Sequence, residues 1–410
     1  MRHDLLARDL LKRGLTVLLV VAGVSGCTTI KNIFNDTKKE NIQPPTALTD
    51  FAPTLTPQKL WSQRVGKGAD TSGALLVPFY ADGKLYASGV DGTVASLDGG
   101  DGHTIWSKRV GSRHGFIWHR GHNSLRWSGG PAVAGDLLVV GSMEGVVQAF
   151  DAGTGAERWH AQVSSEVIAR PAIADGVVVV RSNDGRVYGL NASDGSRRWI
   201  YDRSSVPILS LRGNAAPQIA DGVVYAGEDD GKIVALRLND GKTIWEQTLS
   251  PGEGRTEIER LQDVDGNVVV ADGIVYASGY RGLVAALIAQ TGRPLWTHKL
   301  SSYTGASISA THVFVADADS EVWALDLRTG ASDWKQAGLK YRWLSETAAI
   351  GDYVVVGDLD GYVHWLAASD GKFAARARLS KHAIRSAPIV VGDTVYIEDV
   401  DGEIGAWRIK

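Results

Sequence analysis

The stretch Asp151-Ala-Gly-Thr-Gly-Ala-Glu-Arg-Trp159 decides the fold. Its Gly155 and Trp159 stand four residues apart, and the same step recurs at Gly102/Trp106, Gly195/Trp199, Gly241/Trp245, Gly292/Trp296 and Gly330/Trp334. Gly371 is followed at that step by Ala375, a degenerate copy. Ahead of each copy lies a matching pair of short runs, as in Asp221-Gly-Val-Val-Tyr-Ala-Gly-Glu-Asp-Asp-Gly-Lys-Ile-Val-Ala-Leu236. From Trp106 to Ala375 the period is about 45 residues, the length of a four-stranded propeller blade. Asp-Gly dipeptides punctuate the runs, and that pair tolerates the positive φ that tight hairpins need. Nothing beyond the first residues sustains a 3.6-residue periodicity, so the chain is expected to be all-β and antiparallel.

The two ends of the chain set the blade count. Residues 388–407 carry three strands of a last copy and stop before any Gly-to-Trp strand, while Leu60-Trp61-Ser62 reads as such a strand with nothing ahead of it. The N-terminal strand around Trp61 is therefore expected to complete the last blade, closing the ring so that no inner edge stays open. Trp-strand positions 61, 106, 159, 199, 245, 296, 334 and 375 number eight, which predicts an eight-bladed β-propeller over residues 56–410. Trp61, Trp106, Trp159, Trp199, Trp245, Trp296 and Trp334 are read as structural, each ring docking on the adjoining blade. Composition agrees: of 410 residues 48 are Gly, 12 Pro and 13 Trp, as in a turn-rich globular chain. A net charge of −3 gives no bulk attraction to nucleic acid.

Residues 1–26 read as an export signal, with Arg2, Arg8, Lys12 and Arg13 ahead of an apolar run from Leu15 to Gly23 too short to span a bilayer. Val24-Ser25-Gly26-Cys27 resembles the bacterial lipobox, and Cys27 is the only cysteine. It is expected to be lipidated, with Thr28 in place of an Asp directing the protein to the outer membrane, facing the periplasm; disulfides within the chain are excluded. Residues 27–55 are polar and aperiodic, and are read as the lipidated Cys and a flexible tether.

No phosphate loop, nucleophile elbow or paired carboxylate spacing is present, so no catalytic, cofactor-binding or metal-binding residue is assigned. His114, His119 and His122 cluster in an insertion at 111–128 with Arg113, Arg120, Arg126, Phe116, Trp118 and Trp127. Without companion Cys or carboxylate spacing this reads as a basic, aromatic surface loop rather than a metal site.

Two connectors depart from the repeat more informatively. Leu209, Leu211 and Arg212 follow the Trp199 strand; Asp263 and Asp265 follow the Trp245 strand. Both run from an outer strand to the next inner strand at neighbouring blades, so they emerge side by side, and each alternating pair can project from one side of an extended segment. The residues alone leave two readings open: a partner patch of apolar anchors and register-fixing charges, or Leu209 and Leu211 covering the inner rim while Arg212 pairs with Asp263 or Asp265.

Trp-docked repeats resemble those of quinoproteins, so a PQQ-dependent periplasmic dehydrogenase stands as the alternative, against which the chain lacks an adjacent Cys pair and large added loops. A polysaccharide-binding or hydrolytic propeller is a third possibility. Taken with the lipobox and tether, the segments Ile208-Leu-Ser-Leu-Arg-Gly213 and Thr256-Glu-Ile-Glu-Arg-Leu-Gln-Asp-Val-Asp265 resemble the BamB family, propeller lipoproteins of the outer-membrane β-barrel assembly machinery. The resemblance implies a non-enzymatic scaffold without cofactor, anchored in the outer membrane through lipid and monomeric within the complex. It implies binding of a periplasmic POTRA domain of BamA through Leu209, Leu211, Arg212, Asp263 and Asp265, with unfolded outer-membrane proteins as further partners. The insertion at 111–128 and Ala375 depart from that pattern.

Overall fold

The computed structural model of the chain describes residues 43–112, 123–202, 215–249, 263–264 and 266–409. Among these residues the strands form eight four-stranded antiparallel sheets and one two-stranded pair, Gly111–Ser112 with Asn123–Ser124, and no helix occurs. Blades 1 to 7 span residues 79–109, 127–162, 172–201, 218–248, 269–299, 306–336 and 348–378. Blade 8 joins Ile389–Val391, Thr394–Glu398 and Glu403–Arg408 to Gln58–Arg64 from the other end of the chain. Gln58 lies opposite Arg408 and Arg64 opposite Glu403, so the expected closure around Trp61 is the observed one. The innermost strands adjoin in ring order and blade 8 meets blade 1, giving an eight-bladed propeller.

The turn chemistry follows from the dipeptides. In Asp82-Gly83, Asp175-Gly176, Asp221-Gly222 and Asp272-Gly273 both residues have positive φ, 48–50° for Asp and 72–77° for Gly, as a two-residue type I′ hairpin requires.

The Gly-to-Trp step interlocks consecutive blades. Nε1 of Trp61, Trp106, Trp159, Trp199, Trp245, Trp296 and Trp334 donates to the carbonyl of Gly99, Ala152, Ala192, Leu238, Ala289, Leu327 and Ala368 at 2.8–3.1 Å. Three residues past each carbonyl stands the repeat glycine, Gly102 through Gly371, with φ of 68–76° and no room for a side chain: a Cβ there would lie 2.4–2.6 Å from indole carbons. The glycine of one blade thus receives the tryptophan of the blade before it. A register shift beside each Trp strand turns the ring toward that neighbour, and the residue opposite each indole is small: Ser96, Ala149, Gly189, Ala235, Ala286, Ala324 or Ala406.

Blade 7 explains its own exception. The third and fourth strands of blade 8 come from opposite chain ends, so no turn links them and no glycine awaits a ring from blade 7. There the sizes are reversed: Ala375 is the small residue and Trp365 lies opposite it, fully buried and edge-on to Trp407 at 6.3 Å. Leu55 fills the remaining space against Ala374, Ala375, Trp365 and Trp407.

That contact corrects the tether boundary. Residues 46–55, expected to be flexible, are fastened to the propeller. The amides of Thr54 and Leu55 donate to Ala374 O, at 2.9 and 3.1 Å, and Phe51 stacks on Phe373 at 5.4 Å. Arg376 donates to Thr49 O (3.1 Å), and Arg342, only 4% exposed, donates to Thr46 O (3.0 Å), Asp358 (2.8 Å) and Asp360 (2.6 Å). His364 Nε2 lies 3.0 Å from the same Asp358 carboxylate. Burial pulls that carboxyl up, but hydrogen bonds from His364 and Arg342 outweigh it and hold Asp358 below the usual carboxylate range.

Candidate functional site

Because every blade repeats one strand order, the connectors from an outer strand to the next inner strand all emerge at the same end of the ring, the end that also carries the turn between the second and third strands. The described ends of the 202–217 and 249–268 connectors flank blade 4 at that end of the ring. Leu209, Leu211, Arg212 and Asp265 lie outside the described residues, as do Cys27, the signal and His114, His119 and His122. Asp263 is described, and it is completely buried (0% exposed), so its carboxylate faces the protein interior rather than solvent. The main chain around it is pinned on both sides: Tyr280 N donates to Asp263 O at 2.8 Å, and Val264 N donates to Glu228 O at 3.1 Å. Gly227 makes the close approach possible, since a Cβ there would fall 2.5 Å from Val264 O. Val264 itself is buried in the core between blades 4 and 5. On the other side of blade 4, buried Arg181 of blade 3 pairs with buried Asp229. Blades 3, 4 and 5 are thus stitched together where the two connectors depart.

At the centre of the same end lies a cavity of about 530 Å³. Seven connectors contribute to its wall, together with Gln218, Val269, Val270 and Ile389 from inner strands. Its polar side chains include Arg170, Asn267, Tyr303, Glu346 and Arg385. Glu346 Oε2 accepts from Asn267 Nδ2 at 2.8 Å, and Asn267 Oδ1 accepts from Ala216 N at 3.1 Å. Enclosure by the cavity wall pushes the Glu346 carboxyl up to about 7, against the opposing pull of Asn267 and Arg170. Burial pulls the Arg170 guanidinium down to about 10, which leaves it charged at neutral pH. Sequence reading missed all of these residues: they come one to three at a time from loops far apart in the chain, and no spacing marks them.

A closed ring in which seven outer-strand indoles dock on the glycine turn of the next blade makes this a β-propeller of PQQ-like repeats. A family profile described as "Outer membrane protein assembly factor BamB" matches residues 55–116 and 115–336. The chain is 41% identical to the outer membrane protein assembly factor BamB of Xanthomonas campestris pv. campestris over 405 residues, covering 98% of both chains. It is 34% identical to that of Escherichia coli K12 over 387 residues, covering 94% of this chain and 96% of the other. The crystal structure of BamB from Moraxella catarrhalis superimposes with a TM-score of 0.76 at 29% identity, over 86% of this chain and 100% of that one. The chain belongs to the BamB family, whose members are assembly factors and not enzymes. A quinohemoprotein alcohol dehydrogenase from Comamonas testosteroni also superimposes, with a TM-score of 0.67 over 88% of this chain and 78% of that one, but at 15% identity it shares the fold alone. The dehydrogenase alternative is set aside on that contrast.

Proposed function

We propose that the chain is a scaffold of the outer-membrane β-barrel assembly machinery, held at the periplasmic face of the outer membrane by lipid on Cys27 and binding a POTRA domain of BamA through its two neighbouring connectors. The observation that carries this reading is the 41% identity, over nearly the whole of both chains, with an outer membrane protein assembly factor. Leu209, Leu211, Arg212 and Asp265 are the proposed contacts. Asp263, being buried, acts from beneath by positioning the 249–268 connector. Tethering the propeller beside the barrel subunit raises the local concentration of components around an incoming barrel. The test is binding of the BamA periplasmic domains to the wild-type chain and to Leu211→Asp, Arg212→Glu and Asp265→Arg. Loss of binding in variants that keep the wild-type melting curve is expected; retention by all three removes the patch.

A second reading concerns unfolded outer-membrane proteins. Ile105, Ile200, Ile244 and Leu295 are exposed on the outermost strands, beside their docking tryptophans. An outermost strand presents a row of free backbone donors and acceptors to which an extended segment can add. A photo-crosslinker at position 244 is expected to capture an unfolded barrel precursor, and no capture from any of the four positions refutes strand addition.

A further inference from the structure

The central cavity holds a guanidinium, Arg170, that the Glu346 carboxylate attracts without forming an ion pair with it. Arg170 makes no hydrogen bond or ion pair among the described residues; its Nε is buried without a partner, and its guanidinium rests 5.7 Å from the Phe79 ring centroid. A guanidinium donor buried without an acceptor is costly. Arg385, also on the cavity wall, has no ion pair among the described residues either. Glu346 is the one carboxylate among the lining residues, hydrogen-bonded to Asn267 and attracted to Arg170, so two arginines face a single acidic group there. The cavity is therefore cationic within a chain of net charge −3.

Its walls have a second character. Leu75, Val77, Val268, Val270, Leu344 and Ile389 are apolar, and Trp343 stands at the mouth, 55% exposed. Trp343 has φ of 52° and Tyr341 φ of 61°, a left-handed backbone that bulky residues rarely adopt and that concentrates at binding sites. The turn is held by Trp343 N donating to Ser320 Oγ at 2.9 Å and Tyr341 N donating to Asp319 O at 2.7 Å. A volume of about 530 Å³ is that of a small-molecule pocket.

The geometry points to a binding site for a small organic carboxylate with an apolar or aromatic body, its carboxylate on the Arg170 guanidinium and its body between the aliphatic wall and Trp343. The planar fork of an arginine matches a carboxylate in two parallel hydrogen bonds, which supplies orientation as well as attraction. The apolar wall discriminates against inorganic anions, which meet the charge and leave the rest of the cavity wet. This assignment involves none of the proposed BamA contacts, although Ala216, Asn267 and Val268 of the same two connectors line the cavity, and it needs no catalytic step.

The probe is 3-phenylpropionate, titrated calorimetrically into the purified chain beside 3-phenylpropionamide, phenethylamine and inorganic phosphate. Saturable binding of the carboxylate is expected, with the amide, the amine and phosphate each weaker by about tenfold or more. Arg170→Gln is expected to weaken the carboxylate by about tenfold or more and to leave the amide unchanged. Arg385→Gln, at an exposed position, serves as the second variant should Arg170→Gln fail to fold, with a smaller loss expected. No binding by the wild-type chain at millimolar ligand, equal binding of acid and amide, or undiminished binding by a folded Arg170→Gln each overturns the assignment. BamA binding in the same variant separates failure here from failure of the scaffold reading.

Discussion

The interlock between blades makes a quantitative prediction at the blade 4–5 joint. Trp245 is buried, donates to Ala289 O at 2.8 Å and packs against Tyr225 with ring centroids 5.9 Å apart. Trp245→Ala removes that contact and leaves a cavity, at a cost of about 3–5 kcal/mol. Gly292→Ala places a side chain on a backbone with φ of 70° and a Cβ 2.6 Å from Trp245 Cε3. The left-handed backbone costs about 1–2 kcal/mol for an L-residue, and the overpacking adds about 1–3 kcal/mol. With the indole gone the clash goes too, so the double variant should be more stable than the sum of the singles by about 1–3 kcal/mol. Gly273→Ala is the control: φ is 73° but nothing lies within 4 Å of its Cβ, so only the backbone cost applies. Urea unfolding of the four variants by near-ultraviolet circular dichroism gives the cycle. Additivity within about 0.5 kcal/mol would show that the glycine is there for its turn alone and would refute the interlock.

Three further outcomes are expected. Ala375→Trp restores the repeat in sequence yet should destabilise by about 1–3 kcal/mol, because Trp365 and Leu55 already fill the site and blade 8 offers no turn; a higher melting temperature would contradict this. Arg342→Ala leaves Asp358 buried with His364 as its side-chain partner and removes the bond to Thr46 O, so a loss of about 3–5 kcal/mol in urea unfolding is expected, with earlier proteolysis within residues 46–55. Glu346 has its folded pKa raised to about 7, so the unfolded chain ionises first and this group lowers stability progressively from about pH 4.5 to 7. Glu346→Gln should match the wild type at acid pH and exceed it by about 2–3 kcal/mol or less above pH 7; a difference that does not grow with pH removes the reading.

Much of the fold was legible because its cause is local and repeated. The Gly-to-Trp step, the Asp-Gly hairpins and the orphan strand at Trp61 each express one short-range requirement, and repetition made them visible. What was missed depends on contacts across the ring. Residues 46–55 lack periodicity because their partners are Lys340, Arg342, Ala374 and Arg376, some 300 residues away. Leu48, Phe51 and Leu55 were the available signal, apolar residues with no use in a solvated tether. Ala375 looked like decay and is instead the consequence of where the chain opens. The site was legible in part. Both connectors depart from the repeat in sequence, but Asp263 reads there as surface charge and lies fully buried, beside Val264, whose carbonyl packs closely on Gly227. The central cavity left no pattern, since seven loops supply its lining.

The most direct test of the scaffold account is co-purification. An affinity-tagged chain expressed in its own host, with membranes solubilised in mild detergent, is predicted to bring down BamA, and the combined Leu211→Asp and Arg212→Glu variant is predicted to lose BamA while remaining folded and membrane-bound. Recovery of the wild-type chain without BamA, or full recovery of BamA with the double variant, would contradict the account.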